Sequence, residues 1–208
     1  MGHILREIRA LLLLFSCLWP LGCGEEARSP SSSLSSEPPP LSGARCDEPE
    51  WQIGACVPGE ADFEENLGVS HIDDGRLSYS QDPPSSGDHR SVWARWGEYS
   101  FLPPERWLHN LEHGGVVFLY HPCIEATLLE ELRGYVRELR DEEGAPLRWI
   151  LTPASSLPTG IAVIAWEWRY FANCIRGEEI EDFIRRNYRQ APEDIAVDGA
   201  YREGWVGF

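Results

Sequence analysis

Apolar and polar positions fall into a few distinct blocks along the chain. Val116 to Tyr120 is an unbroken apolar run between turn residues, the pattern of a buried strand. Leu128, Leu129, Leu132, Tyr135, Val136 and Leu139 then recur at helical spacing. Thr127 and Glu130 stand ahead of them at capping-box spacing, and the stripe stops by Gly144. Residues 148–152 and 161–168 read as strands joined by a turn containing Pro and Ser. Residues 178–189 form a second amphipathic stretch with Ile180, Phe183 and Ile184 on its inner face, closed by Ala191-Pro192. A shorter helix is expected over 105–113, opened by Pro103-Pro104 and ended by Gly114-Gly115.

The order strand-helix-strand-strand-helix implies one right-handed crossover followed by a hairpin. The fold class is therefore α+β: a small mixed sheet with helices on one face. Residues 45–102, rich in Gly, Pro, Ser and Asp, wrap over it. Trp93, Trp96, Tyr99, Phe101 and Trp107 crowd one short segment. They read as a lid that buries the wrap rather than as a sugar-stacking face.

The N-terminus has a different pattern. Arg6 and Arg9 precede an apolar run from Ala10 to Leu21, the layout of a signal peptide and too short to remain as a membrane span. Cys23 follows Gly22 and opens a polar segment, which suits a lipoprotein-type signal. Cys17, after Leu14-Phe15-Ser16, is the alternative lipidation site. Residues 23–44 are dominated by Ser and Pro and read as a disordered tether. The expected organisation is a signal at 1–22, a tether at 23–44 and a single domain at 45–208. That domain is exported and held to a cell membrane or outer membrane by an N-terminal lipid, facing the periplasm or cell surface.

Charge and composition narrow the partners. The formal net charge of -16 repels nucleic acid and is compatible with cations as ligands. All the Lys and Arg positions are Arg, so lysine Schiff-base chemistry and a phosphate-loop lysine are excluded. Cys46, Cys56, Cys123 and Cys174 remain in the domain, an even set that suggests two disulfides in an exported protein. Three pairings are possible. The local one joins Cys46 to Cys56 and leaves Cys123 with Cys174. An antiparallel third strand would put Cys123 and Cys174 at opposite ends of the sheet.

The histidines carry the candidate chemistry. His109 and His113 lie four apart on the expected helix, a spacing that stacks both rings on one face. His89, after the Pro83-Pro84-Ser85-Ser86-Gly87-Asp88 turn, supplies a third imidazole, and His71 a fourth. Such a set suits zinc or copper(II), with Glu112 or Asp88 orienting a ring nitrogen. With Met1 the only methionine, a thioether copper(I) site is not expected. His109-Asn110-Leu111-Glu112-His113 also matches the H-x-x-E-H pattern, in which Glu112 would be the general base of a zinc hydrolase. A third reading makes the histidines structural, capping helix carbonyls in a metal-free envelope interaction module. His121, between a strand and Pro122, reads as a sheet-end residue.

Several segments together resemble a bacterial family, domain of unknown function 3105. They are His71-Ile72, Tyr79-Ser80-Gln81-Asp82-Pro83-Pro84-Ser85-Ser86-Gly87-Asp88-His89, Trp96-Gly97-Glu98-Tyr99 and Leu108-His109-Asn110-Leu111-Glu112-His113-Gly114-Gly115-Val116-Val117. Ala165-Trp166 and Ala191-Pro192-Glu193 add to it, so the likeness spans roughly 60–195. Asp88 departs from the family pattern, standing where Pro is expected. The resemblance implies an exported or membrane-attached domain of unassigned biochemistry. It also implies that His71, His89, His109 and His113 form one set.

Overall fold

The computed structural model describes Cys46 and residues 56–208. The signal, the tether and both candidate lipidation cysteines, Cys23 and Cys17, lie outside these residues. Among the described residues no helix is long and apolar enough to cross a membrane.

The domain is α+β, with one mixed seven-stranded sheet and three helices. In chain order these are β1 (Glu60–Phe63), β2 (Gly97–Tyr99), α1 (Pro104–Glu112), β3 (Val116–Tyr120), α2 (Ala126–Glu138), β4 (Trp149–Pro153), β5 (Ile161–Ala165), β6 (Trp168–Ala172), α3 (Gly177–Asn187) and β7 (Trp205–Gly207). The strands lie in the order β1-β6-β5-β3-β4-β2-β7. The β3-α2-β4 unit is the expected crossover, and its strands pair in parallel. β5 then pairs antiparallel with β3 rather than beside β4.

The apolar runs at the centre are explained by two-sided burial. Successive side chains of a strand point to opposite faces, so a strand covered on both sides needs no polar alternation. Val116, Phe118, Trp149, Leu151, Ile161 and Val163 pack on one face with Leu132 and Val136 of α2 and Ile180 and Phe183 of α3. Val117, Leu119, Ile150, Ala162 and Ile164 face the other way, onto Trp107, Leu108 and Leu111 of α1 and onto Trp96, Tyr99 and Leu102 of the wrap. The helices thus divide: α2 and α3 cover one face, while α1 and the aromatic lid cover the other.

Three local expectations need correction. The stretch 161–168 is not a single strand; the chain turns at Trp166-Glu167 and returns as β6. Glu167 sits there at φ 64°, a left-handed turn position filled without a glycine or asparagine to signal it. It is held by hydrogen bonds from its N–H to the Ser85 carbonyl (3.1 Å) and from the Glu64 N–H to its own carbonyl (2.7 Å). α2 begins one residue before Thr127 and has no side-chain cap, so the capping box does not form. A turn closed by the Ile124 N–H on the His121 carbonyl delivers the chain into the helix early.

The third correction concerns the disulfides, which join Cys46 to Cys123 and Cys56 to Cys174, with Cα separations of 5.2 and 5.6 Å. The β5-β6 hairpin brings Cys174 back to the end of the sheet where β3 stops and Cys123 follows. Each of these cysteines meets one from the N-terminal segment instead of the other. A short loop favours Cys46 with Cys56 in an unfolded chain. In the folded domain, reach within about 7 Å decides. Two such bridges indicate an oxidising, non-cytoplasmic compartment.

Candidate metal centre

α1 ends where β3, the central strand of the sheet, begins. Its last turns are buried, including His109, Asn110, Leu111 and Glu112. Gly114 takes φ 78° just past the helix, where an added Cβ would meet the Arg189 Cα at 2.9 Å. Only glycine fits that turn from helix to strand. Asn110 clips the wrap to the helix: its amide donates to the Ala94 carbonyl at 2.8 Å and its oxygen accepts the Ala94 N–H at 3.0 Å. The preceding segment therefore runs along α1 and carries His89 to it. A backbone bridge between His71 and His89, closed by Ile72 N–H to the His89 carbonyl and His89 N–H to the Ser70 carbonyl, adds His71.

His71, His89, His109 and Glu112 bring one ligand atom each into a group whose members all lie within 4.8 Å of one another. The Oε2 of Glu112 stands 3.4 Å from the Nε2 of His71, 3.0 Å from that of His89 and 3.7 Å from that of His109. A tetrahedral ion with bonds of about 2.0–2.1 Å sets its ligand atoms about 3.3–3.4 Å apart. The three separations of the carboxylate oxygen from the ring nitrogens bracket that value.

Two backbone carbonyls orient the rings. The Nδ1 of His89 bonds the Gly87 carbonyl at 2.8 Å, and the Nδ1 of His109 bonds the Arg90 carbonyl at 2.7 Å. A carbonyl only accepts, so both Nδ1 atoms carry hydrogen, and in the neutral ring Nε2 keeps its lone pair. Gly87 makes the first of these bonds possible with φ 126°, a backbone that side chains resist. Burial pushes the His109 imidazole down to about 4, and His89, His113 and His71 press the same way against the bond to Arg90. A neutral ring is the form that binds a metal.

His113 is placed differently. It is the C-cap of α1 rather than a residue within it, and its Nε2 faces the Glu193 Oε2 at 3.2 Å. Its Nδ1 is buried without a hydrogen-bond partner among the described residues. Burial lowers the His113 pKa against the pull of Glu193 and Glu112. The structure thus groups three of the four expected histidines with Glu112 and turns the fourth to Glu193. Asp88 lies outside the group, where its Oδ1 accepts the Ser70 N–H. His121 follows β3, at the far end of that strand from α1, where its Nδ1 accepts the Cys123 N–H at 3.1 Å. Trp93 packs on His109 and His113 at ring separations of 4.9 and 4.6 Å, so this part of the aromatic lid covers the site.

Nothing in the sequence marked the Gly87 and Arg90 carbonyls, which act through the backbone. Glu193 had a visible place only in the Ala191-Pro192-Glu193 element.

The family whose profile matches residues 71–200 is described as protein of unknown function (DUF3105). The chain belongs to this family. The matched span opens on His71 and contains all four converging residues of this DUF3105 member, as well as the His113-Glu193 pair. Neither the curated proteins nor the solved structures yield a match.

Proposed function

We propose that this domain binds a divalent transition-metal ion through His71, His89, His109 and Glu112. One observation carries the reading: two imidazole lone pairs, fixed by carbonyls behind them, face one carboxylate oxygen in a buried space. Acceptors facing each other there need a positive species between them, either a proton or a cation. Imidazole nitrogen and carboxylate oxygen donors suit both zinc and copper(II).

The domain does this outside the cytoplasm, tethered to a membrane by a lipid on Cys23, with Cys17 as the alternative. The signal layout of residues 1–22, the Ser/Pro segment behind it and the two disulfides support this placement. The hydrolase reading has less support, because Glu112 is directed at three imidazoles rather than held apart as a base. A metal-free module would leave the facing acceptors bridged by a proton alone.

The test is metal content after separate loading with zinc and with copper(II), for the parent and His109→Ala. One ion per chain in the parent, lost in the variant, supports the reading. Sub-stoichiometric metal in the parent, with unchanged thermal stability, refutes it.

A further inference from the structure

The four donors are not equivalent. The side chains of His89, His109 and Glu112 are 0, 3 and 8% exposed, whereas that of His71 is 46% exposed. His89 and His109 are each fixed through Nδ1, but no group among the described residues bonds the Nδ1 of His71. The His71 backbone is anchored independently of its ring. Ile72 N–H bonds the His89 carbonyl at 2.8 Å, and Ser70 N–H bonds Asp88 at 3.1 Å. Arg90 donates to the Ile72 carbonyl at 2.8 Å, and Ser91 binds Asp73 through its N–H at 3.0 Å. The ring can therefore swing into solvent with no loss of backbone bonds, leaving two histidines and a carboxylate in place.

The ring's surroundings indicate what can replace it. The His71 imidazole stacks on that of His109, with centroids 4.5 Å apart and planes at 21°, and meets His89 edge-on at 5.0 Å. A flat aromatic nitrogen donor fits such a slot by the same stacking, and a carboxylate does not.

Building on the proposed metal reading, we propose that His71 occupies an exchangeable coordination position. His89, His109 and Glu112 form a fixed platform, and a small aromatic nitrogen donor of the imidazole class enters from solvent where His71 leaves. The position is thus a binding site for an external ligand as well as a place for a protein side chain.

Cobalt(II) and imidazole are suitable probes, since tetrahedral cobalt(II) absorbs strongly in the visible. His71→Ala removes a ring without touching the backbone bonds of Ser70 and Ile72, and circular dichroism checks that it is folded. The expected result is a cobalt band in the parent, its loss in His71→Ala, and its return to parental intensity with imidazole but not acetate. His109→Ala should lose the band and not regain it. If that variant does not fold, the imidazole-acetate contrast in His71→Ala decides alone. Full intensity in His71→Ala without additions, no recovery with imidazole, or equal recovery with acetate overturns the proposal while leaving the metal reading standing. Absence of cobalt uptake by the parent overturns both.

Discussion

The Nε2 of His89 lies 3.0 Å from the Oε2 of Glu112, and the two side chains are 0 and 8% exposed. The Gly87 carbonyl takes the other nitrogen's hydrogen, so in the neutral ring a lone pair faces the carboxylate oxygen across that gap. Their closeness links the stability of the metal-free protein to its affinity for a cation.

Replacing Glu112 with Gln should separate these two effects. The amide offers an N–H where the carboxylate needs a proton, and one added buried hydrogen bond contributes about 1 kcal/mol. The metal-free variant should therefore melt higher than the parent above neutral pH. The same change removes an anionic ligand and should weaken zinc binding. Calorimetric melting with and without zinc reads both; equal shifts of the same sign would be inconsistent with the facing-acceptor geometry.

Acid should destabilise the metal-free domain through its histidines. Burial lowers the folded-state pKa of His109, His113 and His121. For His109 the fall is from 6.5 to about 4. Below 6.5 the unfolded chain takes up protons that the folded rings do not, so stability is full above that value. It should fall as the pH drops through the window down to about 4. Thermal midpoints measured in the presence of a chelator test this, and a midpoint that stays flat or rises on acidification through the window counts against it.

The disulfide pairs make a prediction of their own. Peptide mapping without reductant should recover Cys46 joined to Cys123 and Cys56 joined to Cys174. Reduction should lower stability by about 2–5 kcal/mol for each bridge lost. Recovery of a Cys46-Cys56 peptide would contradict the two long-range cross-links.

Some of this was legible in the sequence, for identifiable reasons. β3 and α2 each announce themselves within a single window, one as an apolar run and the other as a helical stripe. The β5-β6 hairpin does not, because Glu167 turns the chain at φ 64° with support from the distant Ser85 and Glu64. His71, His89 and His109 could be listed as a set. The substitution of Glu112 for His113 in the converging group could not: the His109 and His113 rings do meet, 4.6 Å apart, but the Nε2 of His113 is turned to Glu193, a residue distant in sequence. The tautomers of His89 and His109 depend on where the Gly87 and Arg90 carbonyls point, which residue identity does not encode.

The central claim is that His71, His89, His109 and Glu112 share one ion. X-ray absorption on the zinc-loaded protein tests it most directly. The expected first shell is four nitrogen and oxygen neighbours at about 2.0–2.1 Å with imidazole scattering beyond. A sulfur shell at about 2.3 Å, or a six-coordinate hydrated ion without imidazole scattering, would contradict it.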